Sequence, residues 1–268
     1  MVENSKIAIL TTVANFELYR RTSQYFPIGI QKYVIDGTNG MHGIHSIIFM
    51  MEVLKNKGIE WLIMADEDVI FKESPVVFSI IKEMIENNLD IAGIRDGGMI
   101  KHRNYNPFVI NTFFSILNFK EIERIWNVQD MKKNQFILDN EFDDNLSKLS
   151  GKYDASSTYE PYYCFYLWLR RSQKKILFLE TNMCEDEITN KVLFKDKHFL
   201  YHTWYARSYC KSEKHTNRID VILNEYITDS EKNIVEYILY KDSMFYINSK
   251  FKKILKKIKI KFNRVKFV

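Results

Sequence analysis

The stretch Trp61-Leu62-Ile63-Met64-Ala65-Asp66-Glu67-Asp68-Val69-Ile70-Phe71 constrains the fold more than any other part of the chain. Residues suited to burial run directly into two carboxylates two positions apart, and an apolar run resumes at once. An uninterrupted apolar run of this kind reads as a central strand covered on both faces. At the carboxyl end of such a strand Asp66 and Asp68 point to the same side, because side chains alternate with period two. Two carboxylates aimed at one point repel unless a positive charge lies between them. A hard divalent cation with oxygen ligands meets that need. The plainer reading, a strand ending in a solvated acidic turn, is open to any short acidic cluster. Position directly after a buried strand favours the cation.

The rest of the chain supplies the sheet that such a strand requires. Residues 6–13 read as a buried first strand ending in the hydroxyls of Thr11 and Thr12, and residues 14–26 as a helix. Residues 31–35 form a second apolar strand that ends in the turn Asp36-Gly37-Thr38-Asn39-Gly40. An apolar helix over 43–57 is stopped by Gly58 before the Trp61 strand. Strand and helix in alternation indicate a mainly parallel sheet with right-handed crossovers. Ligands of open sheets of this kind bind beyond the carboxyl ends of the strands, where Thr11, Asp36, Asp66 and Asp68 all fall.

Further along, Ser74 is the expected N-cap of a helix with Pro75 at its first position, running to about 88. A short strand over 90–94 leads into the polar loop Arg95-Asp96-Gly97-Gly98. Residues 108–119 read as a strand, 120–128 as a helix, and 139–158, rich in Asp, Asn and Ser, as a loop. Glu160-Pro161 opens an aromatic helix over 162–171, and 175–179 reads as the last central strand. Residues 198–209 form a dense aromatic and basic cluster.

Charge divides the chain. Its 268 residues carry a formal +5, yet residues 250–268 hold nine Lys/Arg and no acid, so the remainder is at −4. Acidity of the body disfavours a nucleic-acid partner. In the tail Phe251, Leu255, Ile258, Phe262 and Val265 follow helical spacing with lysines on the other faces. A basic amphipathic helix suits an anionic membrane surface; a solvated basic tail or a nucleic-acid contact is the plainer reading, and the regular apolar stripe favours lipid. The expected organisation is therefore an α/β domain over 1–215 and a helical extension over 216–268. Three cysteines without metal-type spacing fit a reducing cytosol. No signal-peptide pattern and no long apolar span appears, so the expected location is cytoplasmic, held peripherally on the inner face of the plasma membrane.

No G-x-G-x-x-G loop follows the first strand, and no P-loop exists, which disfavours nicotinamide, flavin and P-loop nucleotide chemistry. A sheet that binds a nucleotide without a glycine-rich cradle needs another way to neutralise a diphosphate, and a cation on Asp66 and Asp68 provides one. On the first strand, the Asp36 turn, the Asp66-Glu67-Asp68 motif and the Asn111-to-Asn118 segment, residues 5–210 resemble the GT-A glycosyltransferases. These are the nucleotide-sugar-dependent class with an Asp-x-Asp motif. In the segment from Asn111 this chain has Phe113 where the glycogenin-like branch usually has glycine.

The resemblance implies a GT-A-like, mixed but mainly parallel sheet. It implies transfer of a sugar, a hexose, from a nucleotide-sugar donor such as a UDP-sugar to a glycan or glycolipid acceptor, as in surface-polysaccharide synthesis. Mn²⁺ or Mg²⁺ would be held by Asp66 and Asp68, with Asp66 also at the ribose and His202 completing the sphere. Asp36 would read the base or ribose, and Thr11 would sit beside the nucleotide. Arg207 suits the diphosphate, because a guanidinium matches phosphate oxygens bidentately. An inverting enzyme needs a carboxylate base; Glu160 and Asp96 are the candidates, with Asp154 also available, and a retaining enzyme would need none. Trp204 and Tyr205 suit either sugar stacking or core packing. Two other readings share the sheet: a sugar-phosphate nucleotidyltransferase, and a non-catalytic sugar-binding protein at the membrane surface.

Overall fold

The computed structural model describes residues 2–226, 235–248 and 250–251. Its centre is a seven-stranded sheet. In chain order the strands are β1 (Ile7–Val13), β2 (Gln31–Asp36), β3 (Trp61–Ala65), β5 (Ile91–Arg95), β6 (Ile110–Asn118), β7 (Ile176–Phe178) and β11 (Ile238–Tyr240). Their spatial order is β11-β2-β1-β3-β6-β5-β7. Only β6 runs against its neighbours; the other pairings are parallel. The mixed, mainly parallel α/β architecture read from the sequence is the one observed.

Alternation along the strands sorts the core into two layers. Ile7, Ile9, Ile63 and Ile116 point to one face of the sheet, where helix α3 (Val76–Glu86) covers them with Val77, Ile80 and Met84. Ala8, Leu10, Leu62 and Leu117 point to the other, beneath α2 (Ile44–Leu54) and α6 (Tyr163–Arg171). Burial on both faces is why the strands carry continuous apolar runs. The shorter helices begin at polar caps. Asn15 accepts from the Leu18 amide at the start of α1 (Phe16–Thr22), Asn118 caps α4 (Phe119–Ile125), and Asn127 caps α5 (Val128–Lys132). At α3 the cap position falls on Pro75 rather than Ser74, with no side-chain capping bond.

A second, antiparallel sheet has the order β4-β10-β9-β8, built from β4 (Val69–Phe71), β8 (Glu180–Met183), β9 (Asn190–Phe194) and β10 (Lys197–His202). The chain crosses from the first sheet to the second at Asp66-Glu67-Asp68. The expected last central strand, β7, lies at the sheet edge and is half-buried throughout. Beyond α7 (Glu213–Tyr226), the segment read as a helical extension adds β11 to the opposite edge, beside β2. Most of the amphipathic tail, Leu255 to Val265, lies outside the described residues.

The irregular segment between α5 and α6 is fastened by charge. Asp144 accepts from Arg95 at the end of β5 at 2.7 Å and from both terminal nitrogens of Arg170 on α6. The guanidinium of Arg95 lies 3.4 Å from the centre of the Phe178 ring, and that of Arg170 3.9 Å from Phe142. Burial alone would raise the Asp144 carboxyl, but Arg170 and Arg95 outweigh it and hold the group below the ordinary carboxylate range. Asp144→Ala leaves two largely buried guanidinium groups without their carboxylate and is expected to cost about 3 kcal/mol in chemical denaturation at neutral pH. A depressed acid stabilises above its unfolded pKa and loses that contribution as pH falls through the folded one. The gap between wild type and variant is therefore expected to close below about pH 4.

Candidate active site

The acidic corner is a tight turn. The Asp66 amide donates to the Phe113 carbonyl at 2.9 Å, and the Val69 amide returns to the Asp66 carbonyl at 3.1 Å. Antiparallel pairing of β4 with β10 sets His202 opposite Val69. Thr203 locks the register by donating both its amide and its hydroxyl to the Asp68 carbonyl, at 3.0 and 3.1 Å. One ligand atom each from Asp66, Asp68 and His202 then lie within 4.8 Å of one another. His202 Nε2 is 3.2 Å from Asp68 Oδ1. Its ring is stacked on Phe113, with centroids 4.0 Å apart, and contacts Trp204 at 4.2 Å.

The cluster is short of positive charge. Burial, reinforced by the charges of Asp68 and Glu67, holds the Asp66 carboxyl well above its ordinary pKa, against the opposing charge of Arg207. His202 Nδ1 is buried without a hydrogen-bond partner. Two hard carboxylates and one imidazole form a donor set that suits Mn²⁺ and, less well, Mg²⁺. The residues fit a divalent cation.

Glu67 turns the other way and has a structural task. Its Oε1 accepts the amides of Ala14 and Asn15 at 3.0 and 3.2 Å, where the chain enters α1. Burial and the neighbouring Asp68 push its carboxyl up to about 7 despite those amides. Asn15 in turn donates to the carbonyls of Ala206 and Tyr209, at 2.9 and 3.0 Å. The acidic corner, the start of α1 and the loop after β10 are thus one hydrogen-bonded unit. In that loop Trp204 and Tyr205 adopt left-handed backbone, φ 59° and 62°. Such residues cost on the order of 1–3 kcal/mol each unless their surroundings hold them. Arg218 donates to the Trp204 carbonyl at 3.1 Å, and the Trp204 indole donates to Asn190 at 2.8 Å.

These elements enclose a cavity of about 420 Å³ at the carboxyl edge of the parallel strands. Of the residues singled out from the sequence, Asp66, Asp68, His202, Arg207 and Glu160 all line it. Three do not. Thr11 is buried away from the cavity with its hydroxyl unpartnered, and Thr12, paired with Ser46, takes the lining position instead. One step along a strand reverses the face. Asp36 lies behind the lining, its carboxylate engaged by the Thr38 amide at 3.0 Å and by Lys241 at 2.9 Å. Asp96 is wholly buried and saturated: Arg103 grips both its oxygens at 2.7 Å, while Tyr163 and Asn111 donate to it as well. A carboxylate so engaged anchors the wall and is no free base.

Arg103 is the residue that sequence reasoning missed. It lines the cavity and joins Asp96 to Glu160, at 3.0 Å from the latter. Nothing marked it beyond its place in the short basic run Lys101-His102-Arg103 of a loop. Asn111 was noted only as part of a motif, and here it reaches both Asp96 and the cavity.

No protein-family model matches the chain, and no curated protein matches it. Among solved structures, the chain is similar to a glycosyltransferase involved in the glycosylation of the major capsid of PBCV-1. The TM-score is 0.45 at 15% identity, over 82% of this chain and 98% of that one. A197 from STIV gives 0.38 at 10% identity, over 72% of this chain and 95% of that one. Mouse xyloside xylosyltransferase 1 gives 0.35 at 10% identity, over 65% of this chain and 84% of that one.

The wall depends on the fork of Arg103, which an ammonium does not reproduce. Arg103→Lys is expected to lose on the order of 2 kcal/mol of stability in urea titration. Arg103→Ala, which strands Asp96 as a buried charge, should lose about 3–5 kcal/mol.

Proposed function

We propose that the chain is a metal-dependent glycosyltransferase. In this reading it moves a sugar, a hexose, from a nucleotide-sugar donor, a UDP-sugar, to a glycan or lipid-linked saccharide in surface-polysaccharide synthesis. One observation carries the reading: Asp66, Asp68 and His202 converge on a cavity at the carboxyl edge of a parallel sheet, with Arg207 and Glu160 on its lining. A Mn²⁺ or Mg²⁺ ion on the first three would offset the charge that develops on a departing diphosphate. Arg207 adds a second positive group for the phosphate oxygens. In an inverting reaction Glu160 is the base for the acceptor hydroxyl, and its ion pair with Arg103 fixes the carboxylate while leaving it partly open. Trp204, inside the cavity, presents an aromatic surface that suits a sugar ring.

The nucleotidyltransferase alternative wants a glycine-rich loop after the first strand, and Thr11-Thr12-Val13-Ala14-Asn15 is not one. Among the described residues no helix is long and apolar enough to cross a membrane. The basic tail supports a peripheral position on an anionic membrane, where a lipid-linked acceptor would be met.

A thermal-shift panel of nucleoside diphosphates and UDP-sugars tests the donor site. UDP with Mn²⁺ is expected to raise Tm by a few degrees, EDTA to abolish the shift, and Asp68→Ala to remove it while the fold is retained. A flat panel with metal present would refute the proposal. A shift that persists in EDTA would refute its metal.

A further inference from the structure

The C-terminal segment after β11 shows one face to the body and another to solvent. Amide donation from Phe245 to the Asp242 carbonyl at 3.3 Å, and from Asn248 to Met244 at 2.9 Å, forms a helical turn. Phe245 packs inward, its ring 5.3 Å from that of His45 on α2. Met244, Ile247 and Phe251, at steps of three and four, share a helical side and are 51%, 57% and 60% exposed. The same stepping continues in the sequence at Leu255, Ile258, Phe262 and Val265.

We infer that Met244, Ile247 and Phe251 begin, on the folded body, a docking surface for an anionic lipid bilayer. The inference rests on the membrane reading of the basic tail and extends it to described residues. Charge selects the occupant. Met244, Ile247 and Phe251 suit acyl chains, and the sequence that follows, with nine Lys/Arg and no acid over residues 250–268, suits the anionic headgroups above them. On a nucleic acid the stripe would have no counterpart, and a second copy would bring two strongly cationic faces together.

The surface is tied to the cavity rim. Lys241 pairs with Asp36 at 2.9 Å, and Asn39 donates to the Asp242 carbonyl at 2.9 Å. The loop so fastened continues into Met41, His42 and Gly43, which line the cavity. Docking through this face would hold that rim near the bilayer, where a lipid-linked acceptor lies.

The test is co-sedimentation of the full chain with phosphatidylcholine vesicles, with and without phosphatidylglycerol. Wild type should bind only the anionic vesicles. Met244→Ser, Ile247→Ser and Phe251→Ser together leave the charge unchanged and should weaken binding at least about tenfold, given the apolar area withdrawn. Unchanged binding by the triple variant would overturn the inference and leave binding by the basic tail standing. No binding by wild type would overturn both. A wild-type dimer in light scattering that the triple variant dissolves would give the face to a second copy and also overturn it. If the triple variant does not fold, Ile247→Trp serves: its emission should shift to the blue on anionic vesicles, and no shift counts against the inference. The UDP and Mn²⁺ thermal shift, run on the same proteins, keeps the donor-site reading separate. A chain that docks but gives no shift retains this surface and loses that site.

Discussion

The structure depends on a charge problem at one corner. A buried strand delivers two acids to the same side, and a third acid sits between them. Left together they would repel, and the elements around the corner each dispose of part of the excess. Glu67 is drawn off to the amides that open α1. Its backbone carbonyl takes the Thr22 hydroxyl at 2.9 Å. Asp68 has its carbonyl fixed by Thr203 and its carboxylate faced by His202. Asp66 is left at the cavity with Arg207 as the charge that opposes it. The remaining deficit is electrostatic, and a divalent cation is a group suited to offset it.

A similar economy governs the wall opposite. The irregular segments between β5 and β6 and between α5 and α6 lack the long backbone ladders that order a sheet, so side chains substitute for them. Arg103 with Asp96, and Arg95 and Arg170 with Asp144, are paired in environments that leave little water. Breaking such pairs is costly because the remaining partner stays buried and charged. Arg103 therefore does two things at once. It satisfies Asp96 inside the wall and presents Glu160 at the cavity.

Much of the fold was legible because burial on both faces leaves long apolar runs, and strand and helix alternate in the way a parallel sheet demands. Asp66 and Asp68 were legible for the same reason: neighbours in sequence at a strand end are neighbours in space. The second sheet was not, since β4, β8 and β9 are short and β4 pairs with β10 from far along the chain. Thr11 and Thr12 show the limit of period-two reasoning at a strand end, where one residue decides the face and two adjacent hydroxyls look alike. Asp96 was misplaced because a polar residue before two glycines reads as exposed loop. Its burial is set by Arg103, Asn111 and Tyr163, and no local pattern links those residues to it. The sheet edge where β11 joins β2 was hidden by the strongly basic, helix-patterned residues of the C-terminal tail.

Phe113 turns a departure from the resemblance into part of the site. At a position where the glycogenin-like branch usually has glycine, this chain places a ring, and the ring stacks on His202. A ligating imidazole is commonly oriented by a hydrogen bond from its second nitrogen. Here Nδ1 has no partner, so the ring is held by Phe113 and Trp204. Stacking fixes a plane less sharply than a hydrogen bond fixes an atom, and it makes the third ligand depend on the loop that carries Trp204. That loop is left-handed at Trp204 and Tyr205, and it is held by Arg218, Asn190 and Asn15 from three separate elements. The geometry at the candidate cation position is therefore a property of the two sheets together: the first fixes the carboxylates, and the second, through one braced loop, fixes the imidazole.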